Sequence, residues 1–434
     1  MKRIVLYTSA LLLSFSASGL PPEPAPAQTR ATALVGATLH VGDGTVLTDA
    51  TLTFDQGLIT AVGARDQVPT ANHDVIDVSG QRVYPGFILP DSNLGLTEVG
   101  SIPDTVDTRE TGNLNPNVRA LVAYNTDSEL IPTLRFNGIL TAQVSPLGGT
   151  VAGLSSVVQL DAWNFEDAAV VVDDGLFVNW PAQKRGQFDF STFTLKRVKN
   201  EAYAEQIGEL TTLFEDARAA LESNPQDPNL KLAAAARVLR GQSHLYVNTN
   251  ISQDMVLAVK FARRFAIPNV VILGRDGLLR AAPYLAEENV PVIVLGTHWN
   301  PPFDRSDIDL PFRLPALLLE QGVKVGLTYP GDPMNTRNLA FAAGTAAAHG
   351  LDREAALRMI TLTNAEILGL DDQLGSLTPG KRATLFVSRG DALDMRGNQL
   401  TAAYIDGRRL QLDGRQQELY QRYRRRYSQT EPAR

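Results

Sequence analysis

Seven polar residues stand at or just after the ends of short apolar runs and carry side chains that could bind or activate a small molecule. They are Asp91, Asn93, Asn248, Asn250, Arg275, His298 and Asp332. Asp91 or His298 could act as a general base, and Asn250 or Arg275 could donate a hydrogen bond to an oxyanion. The set therefore suits hydrolysis without a metal, or the binding of a small polar molecule without any chemistry.

The apolar runs that carry these residues are predicted to be buried strands. The clearest are GILTAQVSP, HLYVNTN, NVVILG, VPVIVLG and VKVGLTY, which start at residues 138, 244, 269, 290 and 323. Helical patterns lie between them, at residues 201–222, 254–265, 277–287 and 315–321 among others. Continuous apolar strands that alternate with helices indicate a parallel sheet buried on both faces. Residues 88–368 are therefore predicted to form an eight-stranded (β/α)8 TIM barrel, an α/β fold whose strands end at a common mouth.

The segments on either side of the predicted barrel follow a different rhythm. Residues 28–87 contain short β runs with turns at Gly42-Asp43-Gly44 and Asp55-Gln56-Gly57, and residues 369–412 return to this pattern. We expect the two segments to form one composite β-sandwich that flanks the barrel. Residues 413–434 include the basic run QRYRRRY and are predicted to be a C-terminal basic helix or tail with a solvated face.

The bulk composition excludes several classes of protein. The chain has 434 residues, of which 44% are hydrophobic and 20% are charged. Such a chain is too apolar to be disordered and long enough for one large or two modest domains. Its formal charge of −7 argues against a general nucleic-acid binder.

The first 27 residues have the features of a secretory signal peptide. Lys2 and Arg3 precede a mostly apolar stretch, residues 4–15, and Ala25-Pro26-Ala27 offers small residues at a cleavage site. We predict cleavage after Ala27, with a site near Ala17 or an uncleaved membrane anchor as alternatives. The chain contains no cysteine. Export without cysteine favours a secreted, periplasmic protein that has no membrane attachment once the signal is removed.

Four sequence segments, taken in order, resemble one known family. They are DQGLITAVG and VYPGFI near the start, and AEILGLDDQLGSLTPGKRATLFV and AYIDGRRL near the end. Together they resemble the amidohydrolase superfamily, and most closely its secreted, imidazolonepropionase-like branch. The resemblance implies a (β/α)8 barrel with a side sandwich, and hydrolysis of C–N bonds in amides, cyclic amides, imides or dipeptides. It also implies one or two zinc ions held at the carboxyl ends of barrel strands.

The ligand set that this resemblance implies is almost absent from the chain. The family takes a His-x-His after the first strand, one His each from the fifth and sixth strands, and an Asp from the eighth, often with a bridging Lys or Glu on the fourth. Asp91-Ser92-Asn93 stands where the His-x-His is expected. The position of the fifth-strand His falls on Asn248 and Asn250, and that of the sixth-strand His on Gly274, Arg275 and Asp276. The position of the eighth-strand Asp falls on Tyr329 or Pro330, with Asp332 close by. Of the five histidines, only His298 is expected to face the mouth. We therefore predict no zinc and no other cofactor, with a calcium or magnesium site as the less favoured alternative to a plain polar pocket.

Two further stretches have a structural and a functional interpretation. Residues 145–156, SPLGGTVAGLSS, could cradle an anion, but they lack the lysine of a phosphate loop and are predicted to be a loop at the barrel mouth. Trp163 could stack against a substrate, although an ordinary core aromatic is the favoured interpretation.

Two hypotheses for function follow from the residues and the resemblance. The favoured one is a pseudoenzyme of the amidohydrolase fold, which binds a small polar molecule or acts as a partner subunit of an active homologue, in a homo- or hetero-oligomer. In that case Asn93, Asn248, Asn250, Arg275 and Asp332 line the pocket. The alternative is an active hydrolase of C–N bonds with an atypical or absent metal, in which Asp91 and His298 are the catalytic groups.

Overall fold

The structure is a computed structural model that describes residues 23–189, 191, 193–223, 229–301 and 306–430. The alternating β runs near the start of the chain form the N-terminal part of one β-sheet. The strands are β1 (Thr32–His40), β2 (Val46–Asp55), β3 (Leu58–Ala64), β4 (Asp74–Asp77) and β5 (Arg82–Pro85). The predicted turn between β2 and β3 forms at Gln56 and Gly57, which have φ values of 49° and 81°. Two positive φ values in a row give the turn a twist that suits a tight hairpin.

A second sheet of eight strands forms the barrel. Its strands are β6 (Phe87–Ser92), β7 (Ile139–Val144), β8 (Val151–Gln159), β9 (Ala169–Asn179), β12 (His244–Asn248), β13 (Val270–Gly274), β14 (Val292–Leu295) and β15 (Val325–Thr328). Neighbours in the sheet follow the chain order, apart from the separate hairpin of β10 (Lys184–Asp189) and β11 (Thr194–Lys199). The eight-stranded barrel predicted from the sequence is therefore confirmed.

One strand of the barrel runs against the others. β8 is antiparallel to both β7 and β9, whereas the remaining neighbours pair in parallel. The link between β7 and β8 is residues 145–150, too short for the helix that a parallel crossover needs. Gly148 and Gly149 turn the chain there with φ values of 88° and 64°. Residues 145–150 of the glycine-rich stretch are thus the loop of a β-hairpin, whereas residues 151–156, also predicted to be loop, belong to β8. The barrel therefore has a β–β connection in place of a full set of β–α repeats.

Helices cover the outside of the barrel. They are α1 (Ile131–Arg135), α2 (Phe165–Ala168), α3 (Tyr203–Ser223), α4 (Leu230–Leu239), α5 (Ser252–Arg264), α6 (Gly277–Glu287), α7 (Leu310–Glu320), α8 (Leu339–Ala348), α9 (Arg353–Met359), α10 (Leu362–Leu368) and α11 (Arg415–Thr430). α5 illustrates the packing, because Met255, Ala258, Val259 and Ala262 recur at helical spacing and are fully buried. In the described part of the chain, no helix combines the length and the apolar content needed to cross a bilayer.

The C-terminal segment completes the first sheet. Its strands are β16 (Leu385–Ser388), β17 (Leu400–Ile405) and β18 (Arg408–Arg409). β16 pairs antiparallel with β5, so that both ends of the chain share one eight-stranded sheet in the order β18-β17-β16-β5-β1-β2-β3, with β4 on β1. The predicted union of the N- and C-terminal segments beside the barrel is confirmed.

The residues ahead of β1 contact both parts of the fold. Residues 1–22, which hold most of the predicted signal peptide, lie outside the described residues. The Ala25 backbone N–H donates to the Asp161 carboxylate over 2.9 Å, and its carbonyl accepts a bond from Arg408. Cleavage after Ala27 would remove these contacts, whereas cleavage near Ala17 would retain them.

Asn364 closes the barrel where β6 and β15 lie side by side without a hydrogen-bonded ladder. This fully buried side chain accepts from the Leu327 N–H and donates to the carbonyl oxygens of Ile88 and Leu327 at 3.2, 2.8 and 2.9 Å. The Thr328 hydroxyl adds a bond to the Pro90 carbonyl. The Asn364 amide thus provides hydrogen-bond partners for backbone groups of two strands that are not paired with each other.

We expect Asn364→Ala to lower the free energy of unfolding by about 2–3 kcal/mol, because it leaves buried backbone groups without partners. The measurement is urea unfolding of the wild type and the variant. Gln421→Ala removes an exposed amide from α11 and is the matched control, with an expected change within about 0.5 kcal/mol. An equal effect of the two substitutions would show that Asn364 does not close the barrel.

Candidate functional site

The carboxyl ends of the parallel strands meet at the barrel mouth, where active sites of this architecture lie. Asp91 is the second-last residue of β6, Asn248 ends β12, and Arg275 and His298 follow β13 and β14. These predicted site residues therefore occupy the expected end of the barrel. The antiparallel β8 contributes its start, Val151, to the same end.

Asp91 has the most unusual environment among the predicted site residues. Its φ is 50°, a left-handed conformation that few residues with a side chain adopt. The Asp91 N–H donates to the Gln143 side-chain oxygen over 3.0 Å, and the Ser145 hydroxyl donates to the Asp91 carboxylate over 2.8 Å. Burial raises the pKa of the Asp91 carboxyl, and the Ser145 hydrogen bond partly offsets this. A strained backbone and a raised carboxyl pKa both occur preferentially at functional sites.

A buried polar cluster, made of Gln143, Ser155, Asp174 and Tyr246, lies beside Asp91 within the barrel. The Asp174 carboxylate accepts bonds from the Gln143 amide at 2.7 Å, the Ser155 hydroxyl at 2.8 Å and the Tyr246 hydroxyl at 3.2 Å. All four side chains are at most 3% exposed. Gln143 belongs to both groups, since its oxygen accepts from Asp91 while its nitrogen donates to Asp174.

Hydrogen bonds from neutral side chains accommodate the Asp174 carboxylate. Burial raises the pKa of Asp174, and the bonds from Ser155 and Gln143 together with nearby His244 act in the opposite direction. The pKa of Tyr246 lies well above its ordinary value because of burial and the adjacent Asp174. Sequence analysis missed this cluster, although a polar residue inside an apolar run, such as Gln143 in GILTAQVSP, was a visible signal.

Asn179 is a second residue that sequence analysis missed. It ends β9, the fourth barrel strand, where the resemblance implies a metal-bridging side chain. Its amide donates to the Gly149 carbonyl over 3.0 Å and accepts from the Asn248 amide over 3.3 Å. Two neighbouring strand ends therefore carry linked, uncharged amides, and Asn179 also holds the glycine-rich loop at the mouth.

The other predicted site residues are more dispersed than expected. Asn93 is partly buried, whereas Asn250 and Asp332 are exposed, and the Asp332 carboxylate accepts from the Met334 N–H. His298 is also exposed, with its ring nitrogens 3.4 Å from the Tyr329 hydroxyl and 2.8 Å from the Thr345 hydroxyl. Desolvation lowers the pKa of His298, which favours a neutral ring at pH 7.

Arg275 does not pair with Asp91 and makes its contacts elsewhere. Its Nε donates to the Leu295 carbonyl over 3.3 Å, and its guanidinium carbon lies 5.9 Å from the centre of the Trp299 ring. This geometry is a cation–π contact. The Asp91 carboxylate accepts a hydrogen bond from the Ser145 hydroxyl instead of pairing with a cation.

Several cavities lie on the described part of the molecule, among them one of about 870 Å³ along the terminal sheet, lined by Gln28, Thr53 and Asn72 among others. Three others concern the barrel. One of about 380 Å³ adjoins the mouth and is lined by Thr108, Arg109, Arg119 and Pro146 among others. A larger cavity of about 460 Å³ lies at the opposite end of the barrel, around the amino ends of β13 and β14. A third, of about 390 Å³, is lined by Trp163, which is 63% exposed. The expectation that Trp163 is a core aromatic is therefore wrong.

Comparison with known proteins agrees with this architecture. The amidohydrolase family model matches residues 302–410. An imidazolonepropionase from Deinococcus radiodurans is 26% identical over 404 residues, which cover 85% of this chain and 94% of that protein. A solved amidohydrolase from Thermotoga maritima superposes with a TM-score of 0.74 at 23% identity, covering 88% of this chain and 99% of the other. The family match and the imidazolonepropionase relative support the amidohydrolase superfamily for this chain, and the solved structure shows the same fold.

A deaminase of the same superfamily gives a shorter match. The 5-methylthioadenosine/S-adenosylhomocysteine deaminase of Teredinibacter turnerae is 38% identical over 93 residues. The match spans 19% of this chain and about a fifth (21%) of that enzyme.

The residues at the barrel mouth do not fit the zinc centre that the resemblance to the amidohydrolase superfamily implies. Zinc in proteins takes imidazole, thiolate or carboxylate ligands in a compact set. At the corresponding strand ends stand Asp91, Asn93, Asn179 and Asn248, of which only Asp91 has a suitable donor. Among the residues that the structure describes, no three His, Asp or Glu side chains converge as a metal-binding group. Neutral amides that bond to each other are poor substitutes for such ligands.

Proposed function

We propose that this amidohydrolase-fold protein binds a small polar molecule at the barrel mouth and does not hydrolyse it through a bound metal. The observation that carries the proposal is the chemistry of the strand ends. Asp91 is engaged by Gln143 and Ser145, and the amides of Asn179 and Asn248 bond to each other. This arrangement supplies hydrogen-bond donors and acceptors but lacks the ligand set that activates water on zinc.

The chemistry of the mouth suits an uncharged or weakly anionic polar ligand. Each Asn amide both donates and accepts, which matches an amide or a cyclic amide. Arg275 beside Trp299 offers a cationic edge on an aromatic support for a carboxylate. The superfamily's relatives include an imidazolonepropionase, so cyclic amides with a carboxylate tail are the first ligands to examine.

The proposal includes the location of the protein in the cell. The signal-like N-terminus supports export, and we propose a periplasmic protein that acts alone as a binder or as the partner subunit of an active homologue. The N-terminal residues that carry this part lie in 1–22, outside the described residues.

A metal-free hydrolase is the second candidate, and the environment of Asp91 favours it. A buried carboxyl with a raised pKa and a left-handed backbone could serve as a general base or acid. In that case Asp91 would activate water directly, and His298, neutral and hydrogen-bonded to Thr345, would be the second catalytic group.

Binding and hydrolysis can be separated with one panel of amides, cyclic amides, imides and dipeptides. We expect at least one compound to raise the melting temperature without being hydrolysed. Asn248→Leu should remove this effect, while Gln242→Leu, an exposed amide near the opposite end of β12, should retain it. Hydrolysis at enzyme-like rates, abolished by Asp91→Asn, would replace this proposal with the metal-free hydrolase.

A further inference from the structure

The hairpin of β10 and β11 stands apart from both large sheets. It is inserted after the carboxyl end of β9 and before α3. Among the described residues its strands pair only with each other, from Lys184 opposite Lys199 to Asp189 opposite Thr194. A two-stranded hairpin is marginally stable on its own in water. Its position at the mouth side of the barrel, outside the barrel sheet, makes it a candidate contact surface.

The hairpin carries a strong positive charge in an acidic protein. Its two strands contain Lys184, Arg185, Lys196, Arg197 and Lys199 against one carboxylate, Asp189, which gives +5 − 1 = +4. Since the whole chain has a formal charge of −7, the remainder has −7 − 4 = −11. The hairpin is therefore one of two strongly basic elements of this acidic chain, the other being α11 with its run QRYRRRY.

The register places like charges opposite each other. Lys184 faces Lys199 across the hairpin, an arrangement that destabilises a strand pair in water. Lys199 has an ion pair with Glu201 at 3.1 Å, but both side chains are 78% exposed, so solvent screens it. An anionic surface placed against this face would relieve the repulsion.

The end of the hairpin exposes aromatic side chains. Phe188 is 45% exposed and Phe193, in the turn, is 79% exposed. Their ring centres lie 6.1 Å apart in an edge-to-face arrangement. Phe188 also lies on the same face as Lys184, four positions along β10, because alternate residues of a strand share a face. Phe188 and the facing pair Lys184 and Lys199 therefore share one face of the hairpin.

We propose that this hairpin docks on an anionic phospholipid bilayer. The phenylalanine rings would enter the boundary of the acyl chains while the lysine side chains stay at the level of the phosphates. A tip with exposed aromatic rings suits a deformable planar surface, whereas a protein partner would need an acidic groove of matching shape. Docking in this way would turn the barrel mouth toward the membrane. This proposal replaces the sequence-based expectation that the mature protein has no membrane attachment. It is independent of whether the mouth binds or hydrolyses its ligand.

The test is co-sedimentation of the full protein with vesicles of phosphatidylcholine alone and of phosphatidylcholine mixed with phosphatidylglycerol. We expect about tenfold tighter partitioning to the anionic vesicles, weakened by salt. The double variant F188S/F193S and the charge variant K184E/K199E should each reduce it by about tenfold. All variants keep the same N-terminus, so any binding through that segment cancels in the comparison.

Two controls and a fold check complete the design. Ile308→Ser removes a different apolar side chain, 75% exposed, and Lys260→Glu changes a surface charge on α5, so neither should alter partitioning. Thermal unfolding of each variant confirms that it is folded. Equal partitioning to both vesicle types, or no effect of the hairpin variants, would overturn the proposal. So would light scattering in which F188S/F193S dissolves an oligomer while vesicle binding is unchanged, since the hairpin would then be an interface between copies.

Discussion

Asp174→Ala is expected to lower the free energy of unfolding by about 2–4 kcal/mol, because it empties the centre of the buried polar cluster. The Gln143 amide and the Ser155 and Tyr246 hydroxyls would each lose the carboxylate that now accepts their hydrogen bonds. Chemical denaturation at neutral pH measures the loss.

Asp174→Asn is the matched control, and it makes the prediction specific. An Asn oxygen can accept from Gln143 and Tyr246 while its amide donates to the Ser155 oxygen, whose own proton can go to the Gly175 carbonyl at 3.1 Å. The substitution should therefore cost far less than Asp174→Ala. Similar losses in both variants would show that volume, not hydrogen bonding, sets the stability of the cluster.

The pH dependence of the Asp174→Asn comparison has a definite sign. The folded pKa of Asp174 is raised above its ordinary value of 3.8 by burial. Above pH 3.8 the unfolded chain releases this proton before the folded chain does, so the wild type loses stability as the pH rises through the folded pKa. The amide introduced by the substitution does not titrate, so the stability of the wild type relative to Asp174→Asn should decline from about pH 4 upward. A rise over that range would contradict a raised pKa.

Asp161→Ala should have an even larger effect, a loss of about 3–5 kcal/mol, because it leaves buried cations without their partner. The Asp161 side chain is 2% exposed and accepts from Arg135 at 2.7 Å and from Arg408 at 2.8 Å. It also accepts the Ala25 N–H. One carboxylate therefore joins the barrel, the terminal sheet and the segment ahead of β1.

Urea unfolding of Asp161→Ala tests this, with Glu166→Ala as the control for removing an exposed carboxylate nearby. The control should change stability by no more than about 0.5 kcal/mol. A wild-type-like Asp161→Ala protein would mean that Arg135 and Arg408 find other partners and that Asp161 is not the junction.

The regular parts of the fold could be predicted because their sequence signals are local. The runs HLYVNTN and VPVIVLG contain β12 and β14, and the terminal β runs joined as expected. The direction of β8 could not be predicted in this way, since it depends on a short glycine turn and on pairing with a strand further along the chain. α7 also begins at Leu310, ahead of the predicted start at residue 315, because its first turn accommodates Pro311.

The candidate site could be predicted only in part, because it also depends on pairing between strands that are distant in the sequence. Asp91 stood out because it follows a recognisable strand. Gln143, Ser155 and Asp174 come from three different strands, and only the pairing of β7, β8 and β9 brings them together. Asn179 was not predicted as a site residue, because no sequence signal indicates where the fourth barrel strand ends. The register between distant strands, rather than the residue types, determines which of these side chains come together.

Elemental analysis of protein purified without chelators is the most direct test of the central claim, that the barrel mouth has no metal centre. The amide-rich strand ends predict far less than one zinc ion per chain. A stoichiometry close to one zinc per chain, lost on Asp91→Ala in a protein that remains folded, would contradict the claim.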